Sequence, residues 1–371
     1  MKRPFQYGCV VTGNAFCPRP ALQTKLARDI RDGQNTFLVG ERRTGKTSLI
    51  FATAAALPDC RMLYVDLLNI RTPADFCNRL ATAASRLKSA TSLSDRILAF
   101  LSRLRPTFSL DPENGMPVIS VDSRLAEDPQ SLADVLSIIE KASAAAPLFV
   151  VFDEFQDIRK LPAADQALAL LRARIQLLAD TAFVFSGSVR TDIADLFANP
   201  ASPFFKSART LTVGPVPDDD FAPFLARRFA LGHRTATRPL LDEVFEFTHR
   251  IPGDVQQLCA ALWNVSEPGD TLSADHLKSA LREIYEQESG IFELQTSRLT
   301  RYQFKALVAV AKAGGQNVYS ADFLARAELP TAAAATRAFQ ALVRDGILYL
   351  AGKEYRFFNP FLRAWILGKN W

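Results

Sequence analysis

The residues with the clearest chemistry are Gly40-Glu41-Arg42-Arg43-Thr44-Gly45-Lys46-Thr47, a complete GxxxxGK[ST] loop, with Ser48 beginning a helical stretch behind it. An apolar strand leads in and a helix leads out, which is the context this motif requires. The glycines let the backbone curl, so that successive N–H groups converge on the β- and γ-phosphates of a nucleotide. Lys46 supplies a point charge there, and the Thr47 hydroxyl ligates Mg²⁺. Leu148-Phe149-Val150-Val151-Phe152-Asp153-Glu154 is the matching acidic strand. Its apolar run carries Asp153 to a strand's carboxyl end beside the loop, where the carboxylate can hold the Mg²⁺ hydration shell. Glu154, one residue on, is positioned to polarise an attacking water.

Two further groups belong with this chemistry. Ala182-Phe183-Val184-Phe185-Ser186-Gly187-Ser188 is another apolar strand with a polar end, and Ser186 or Ser188 is a candidate sensor of the γ-phosphate. Arg209 precedes the last apolar run and is a candidate finger reaching a neighbouring subunit's phosphate, with Arg190 and Lys206 as competitors and a solvated surface arginine as the plain alternative. No other chemistry competes. The three histidines form no triad, and the five cysteines are far apart, without CxxC pairs or metal-ligand spacing.

The elements that must position these residues follow from the pattern of apolar positions. Short continuous runs over 36–39, 62–67, 149–153, 182–186 and 210–213 alternate with helical stretches, which predicts a parallel sheet covered by helices over residues 1–215. Asn114-Gly115 between alternating runs predicts a β-hairpin inserted near 107–121. A helical block follows over 216–294, with helices at 221–230, 240–249, 255–265 and 274–288. Residues 295–371 read as helices at 302–313, 321–327 and 331–344, then strands at 347–350 and 355–358. That is a winged helix-turn-helix.

Composition bounds the remaining possibilities. With 48% hydrophobic and 22% charged residues, the 371-residue chain is globular and long enough for two or three domains. Its 27 Phe are scattered and read as core filling. No apolar stretch follows Lys2 and Arg3, and none approaches about 18 residues, so a cytoplasmic chain with reduced thiols and no membrane segment is expected. The net charge of +5 is uneven. Residues 295–371 hold eleven Lys and Arg against four Asp and Glu, which leaves the preceding chain slightly acidic. A basic terminal module suits a polyanion partner.

The phosphate loop through Ser48, the strand from Phe149 to Gln156, the Phe185–Val189 phrase and Ser202–Phe205 together resemble the AAA+ ATPases, and more closely the archaeal-type ATPase family of the STAND group. Arg3-Pro4-Phe5-Gln6-Tyr7-Gly8 and the closing Phe357-Phe358-Asn359-Pro360-Phe361-Leu362-Arg363-Ala364-Trp365 carry the same resemblance to both ends of the chain. It implies ATP and Mg²⁺ as ligands and hydrolysis of ATP to ADP and phosphate. The implied fold is an α/β AAA+ (ASCE) sheet with strand order 5-1-4-3-2, a helical lid and the winged helix as a regulatory or DNA-binding appendage. It also implies an N-terminal segment over the adenine, with Tyr7 and Val11 near the base, and a homo-oligomer as the working state. The chain departs from the family at Pro252-Gly253-Asp254-Val255-Gln256-Gln257, which lacks the arginine usual after the Gly-Asp pair. That favours a slow switch over a motor.

Two readings of function follow. One is an ATPase that contacts DNA through Arg337 and Arg344 on the third helix of the terminal module and Lys353 and Arg356 on its wing. Four alanines on that helix (Ala332 to Ala335) offer nothing to hydrogen-bond base edges, so such contact would be largely non-specific. The other is a slow nucleotide-dependent signalling switch or scaffold acting on a protein partner. A P-loop small-molecule kinase fits badly, because no phosphate-clamping lid arginines are evident.

Overall fold

Continuous apolar runs make strands that can be buried on both faces, and five of them organise the first half of the chain. The computed structural model describes residues 4–87, 107–110, 117–120, 129–188 and 193–368. The chain divides into two units, Val10–Gly214 and Met1–Cys9 with Pro215–Trp371.

In the unit Val10–Gly214 the elements run α1 (Pro20–Arg31), β1 (Thr36–Gly40), α2 (Lys46–Ala55), β2 (Arg61–Asp66), α3 (Pro73–Ser85), β3 (Thr107–Leu110), β4 (Pro117–Ser120), α4 (Pro129–Ala145), β5 (Leu148–Asp153), α5 (Ala164–Gln176), β6 (Ala182–Ser188), α6 (Ile193–Ala198) and β7 (Arg209–Thr212). The central sheet is parallel, in the order β2-β5-β6-β1-β7. Numbered among the five sheet strands alone, this is 2-3-4-1-5, the expected order read from the other edge. Central β1, β5 and β6 are buried at every residue, whereas β2 and β7 at the edges are buried only in part.

Alternate residues of each strand face opposite layers. Leu38, Val151 and Val184 pack with Leu26 and Ile30 of α1 and Leu49 of α2. Phe37, Phe152, Phe183 and Phe185 pack on the other side with Phe76 of α3, Ile138 of α4 and Leu168 of α5. Phenylalanine supplies every one of the largest fully buried side chains among the described residues, which is the core-filling use its abundance suggested. Strand β6 continues two residues past the expected end at Ser186, because Ser188 still pairs with Gly40 of β1. The hairpin is present as β3 and β4, antiparallel, with Thr107 opposite Ser120 and Leu110 opposite Pro117. Its Asn114-Gly115 turn and Val121 lie outside the described residues.

The second unit contains α7 (Asp218–Ala230), α8 (Arg238–Phe247), α9 (Pro252–Asn264), α10 (Ala274–Ser297), α11 (Arg301–Ala313), α12 (Ala321–Arg326), α13 (Ala332–Arg344), β8 (Leu348–Ala351), β9 (Glu354–Phe357) and α14 (Pro360–Gly368). Helix α10 does not stop near residue 288 as its sequence pattern suggested. It runs on through Gly290 because Phe292 is buried against Trp365 of α14, with ring centroids 5.6 Å apart. Burial of that aromatic pair outweighs the roughly 1 kcal/mol that an interior glycine costs a helix. Strands β8 and β9 form the wing, and Tyr355 N donates to Gly315 O at 2.9 Å to join the α11–α12 loop to it. Phe5 packs on Phe229 at 4.5 Å, which ties the N-terminal residues into this unit.

Candidate nucleotide-binding site

Strand β1 ends in the phosphate loop, and two glycines shape the turn. A Cβ on Gly40 would come within 2.4 Å of Val213 O, so only glycine fits where the loop leaves the sheet. Gly45 caps α2 at φ 85°, a left-handed conformation that side chains disfavour. Buried Thr44 braces the loop from within, its hydroxyl donating to Glu41 O at 2.8 Å. Lys46 is buried too, and its Nζ donates to Gly40 O at 3.1 Å and Glu41 O at 2.9 Å. Burial pushes its ammonium below the ordinary lysine value, against the pull of Glu154, Asp153 and Glu41. Arg42 is exposed at the loop's crest, and Arg43 beside it sits at φ 64°. Ser48 Oγ accepts from Val11 N at 3.0 Å.

The strand register gathers the remaining groups on one face. Val151 and Val184 face α1 and α2, so Asp153, Ser186 and Ser188, two or four residues further along, face the same layer. Asp153 Oδ2 accepts from Thr47 Oγ1 at 2.7 Å and from Tyr64 Oη at 2.8 Å, while its Oδ1 accepts from Glu154 N at 3.1 Å. Burial first, then the Asp153 charge and hydrogen bond, raises the Tyr64 phenol far above its ordinary value, so it is a neutral donor. Glu154 stands at φ 51°, and its Oε2 accepts from the Gln156 amide. Ser186 Oγ is buried without a hydrogen-bond partner among the described residues, and Ser188 is buried level with Gly40.

Arg19 was not evident from the sequence. It is buried just ahead of α1, donating from Nη1 to Gly214 O at 2.8 Å and from Nη2 to Thr44 O at 2.9 Å. One guanidinium therefore ties the phosphate loop to the last residue of the unit. Its only sequence signal is a cation bracketed by Pro18 and Pro20. Tyr64 was likewise hidden within an apolar run.

Not every candidate joins the cluster. Arg209 opens β7 opposite Thr36, at the strand end away from the loop, and its Nη1 pairs with buried Asp29 at 2.5 Å. Lys206 lies over the Phe205 ring, and Arg190 is outside the described residues. Tyr7 is exposed.

The donor set fits a nucleotide with Mg²⁺. The Thr47 hydroxyl and Asp153 carboxylate are hard oxygen donors already in contact, as Mg²⁺ prefers. Among the described residues, the buried Lys46 ammonium holds only loop carbonyls and the Ser186 hydroxyl is left over.

A family model described as an AAA domain matches residues 29–192, and a model described as a probable winged helix domain matches residues 290–368. The chain carries an AAA domain and a winged helix domain. No curated protein matches it. Among solved structures, a Walker-type ATPase of Pyrococcus abyssi is similar over 98% of this chain and 99% of its own, at 20% identity and a TM-score of 0.64. The ORC2 protein of Aeropyrum pernix, solved with ADPNP and ADP, is similar over 99% and 97% at 14% identity and a TM-score of 0.55. ORC1 of the same organism, solved in complex with DNA, is similar over 96% and 94% at 13% identity and a TM-score of 0.52. At these identities the likeness concerns the fold.

In the winged helix domain the four basic candidates differ in how they are compensated. Arg344 Nε contacts Asp345 at 3.0 Å, and Arg356 contacts Glu354 at 2.6 Å. Exposed Arg337 on α13 and Lys353 on the wing have no acidic partner among the described residues. Near the start of α9, Asp254, Gln256 and Gln257 are buried, and Gln257 donates to Glu288. None of the described helices is long and apolar enough to cross a membrane.

Proposed function

We propose that the AAA domain binds ATP with Mg²⁺ at the loop after β1 and hydrolyses it slowly, as a STAND-like switch that self-associates and contacts DNA largely without sequence preference. The observation that carries this reading is the Thr47–Asp153 hydrogen bond at 2.7 Å, formed beside a buried Lys46 whose ammonium donates to the carbonyls of Gly40 and Glu41. Loop N–H groups and Lys46 hold the phosphates, with Lys46 exchanging carbonyl for phosphate oxygens. Thr47 and Asp153 hold Mg²⁺, which when bound neutralises charge developing on the transferred phosphoryl group. Glu154 orients the attacking water once Gln156 releases its carboxylate, and Ser186 and Ser188 offer hydroxyls on the same face. Val11, whose N–H donates to Ser48 Oγ, lies beside the base. Arg209 serves a neighbouring copy only if it leaves Asp29.

The basic surplus of the winged helix domain and the DNA complex of a structural neighbour support DNA as the polyanion. A second reading, a switch acting on a protein partner, is favoured by the neutralisation of Arg344 and Arg356 and by the absence of arginine from the start of α9. ATP turnover measured with and without duplex DNA, at low and moderate salt, separates the two. Stimulation that fades with salt supports the DNA reading, and a slow rate indifferent to DNA supports the protein-directed switch. Glu154→Gln is expected to keep nucleotide binding and to stop turnover, and unchanged turnover would remove Glu154 from the mechanism.

A further inference from the structure

Tyr64 lies on β2, opposite Val151, so Asp153 stands diagonally across from it on the same face of the sheet. An aromatic side chain spans that diagonal. Its ring is held by Phe51 of α2, centroids 5.0 Å apart, and Phe51 is one helical turn beyond Thr47. The phenol is thus fixed between the helix that carries Thr47 and the strand that carries Asp153.

A chain with 27 Phe and 7 Tyr fills apolar space with phenylalanine, and here the hydroxyl has a specific acceptor. Asp153 Oδ2 takes two O–H donors, from Thr47 and Tyr64, while Oδ1 takes the Glu154 N–H. The terminal torsion of an aspartate is otherwise broad. With both oxygens engaged, the carboxylate cannot rotate away from Thr47.

We infer that Tyr64 is a positioning residue for Asp153, holding its carboxylate in the orientation that lets Thr47 and Asp153 take Mg²⁺ together with the nucleotide. This rests on the nucleotide reading above. Outer-shell partners of metal-holding groups typically carry about 10- to 100-fold in metal affinity or activity.

The experiment is a titration of the full chain with a fluorescent ADP analogue, in EDTA and across a series of Mg²⁺ concentrations, for the unaltered protein and for Tyr64→Phe and Tyr64→Ala. Tyr64→Phe keeps the ring against Phe51 and removes only the hydroxyl. Its affinity in EDTA is expected to match the unaltered protein, while the Mg²⁺ concentration giving half of the metal-dependent gain rises about tenfold. Tyr64→Ala is expected to show the same Mg²⁺ shift and, in addition, a lower thermal midpoint without nucleotide. A Tyr64→Phe midpoint within about twofold of the unaltered protein overturns the inference and leaves the nucleotide reading standing. Equal losses in EDTA and in Mg²⁺ also overturn it, because they mark a packing role. An unaltered protein that binds no analogue under either condition overturns both.

Discussion

Removing Arg19 should loosen the unit Val10–Gly214. Its guanidinium donates to Gly214 O at 2.8 Å and Thr44 O at 2.9 Å, and the residue is only 7% exposed. A hydrogen bond to a charged group contributes about 1.5–3 kcal/mol, but the two bonds share one cation whose burial opposes them. That burial is why the guanidinium lies below its ordinary value. The net cost of Arg19→Ala is therefore placed at about 2–4 kcal/mol, less than the two bonds summed. All three Trp residues (Trp263, Trp365 and Trp371) lie outside Val10–Gly214, so their fluorescence follows only the second unit. Native-state hydrogen exchange on peptides covering β1 and β5 reads the first. Protection there should fall by about 30- to 700-fold, the equivalent of that free energy, with the tryptophan transition unmoved. Arg19→Lys should fall between, because one ammonium cannot span both carbonyls. Exchange changed by less than about twofold would refute the reasoning, as would an equal shift in the tryptophan signal.

Three other outcomes are expected. Ser186→Ala removes a buried hydroxyl that has no partner among the described residues, so thermal stability without nucleotide should hold or rise by about 1 kcal/mol while ATP turnover falls. Lys46 is lowered by burial, so between its folded value and 10.5 the unfolded chain binds more protons and the stability of the nucleotide-free unit should rise with pH. Nucleotide affinity should fall over the same window, as the charge facing the phosphates is lost, and pH titrations of unfolding and binding that share one sign would contradict this. Arg337→Ala and Lys353→Ala should each lower the slope of log affinity for duplex DNA against log salt by about 0.9, whereas Arg344→Ala and Arg356→Ala should change it less. Four equal slopes would mean that the ion pairs to Asp345 and Glu354 do not persist on DNA.

The sheet was legible because its central strands are buried on both faces and hence apolar throughout, and the phosphate loop and Asp153 were legible because their spacing is set by local backbone geometry. Tyr64 and Arg19 were not. Each acts across the fold, Tyr64 from a neighbouring strand and Arg19 from 25 residues upstream of its acceptor on Thr44. Nothing local to either residue announces an acceptor that distant. The length of α10 was missed for the same reason: Phe292 finds Trp365 only after the chain has folded back. Arg209 shows what a purely local reading leaves out. A lone arginine before a strand looks available in sequence, and only the pairing of β7 with β1 reveals Asp29 as its partner.

Local consistency fails at one end of the sheet and little elsewhere in it. There a lysine is buried on backbone carbonyls, a serine hydroxyl is buried without a partner among the described residues, and Glu154 adopts a left-handed backbone while its carboxylate accepts from the Gln156 amide. Each costs on the order of 1–3 kcal/mol. The phenylalanine layer beneath them, with Phe155 4.7 Å from Phe185 and 5.3 Å from Phe204, supplies packing that keeps the strand ends in register despite that cost. A cation resting on loop carbonyls and a hydroxyl without a partner among the described residues, on the face that also carries Asp153, make a site that a phosphate and its metal would complete. The fold therefore stores at the ends of β1, β5 and β6 the interactions that ligand binding releases, which is why unfolding measured with and without nucleotide should differ most at those strands.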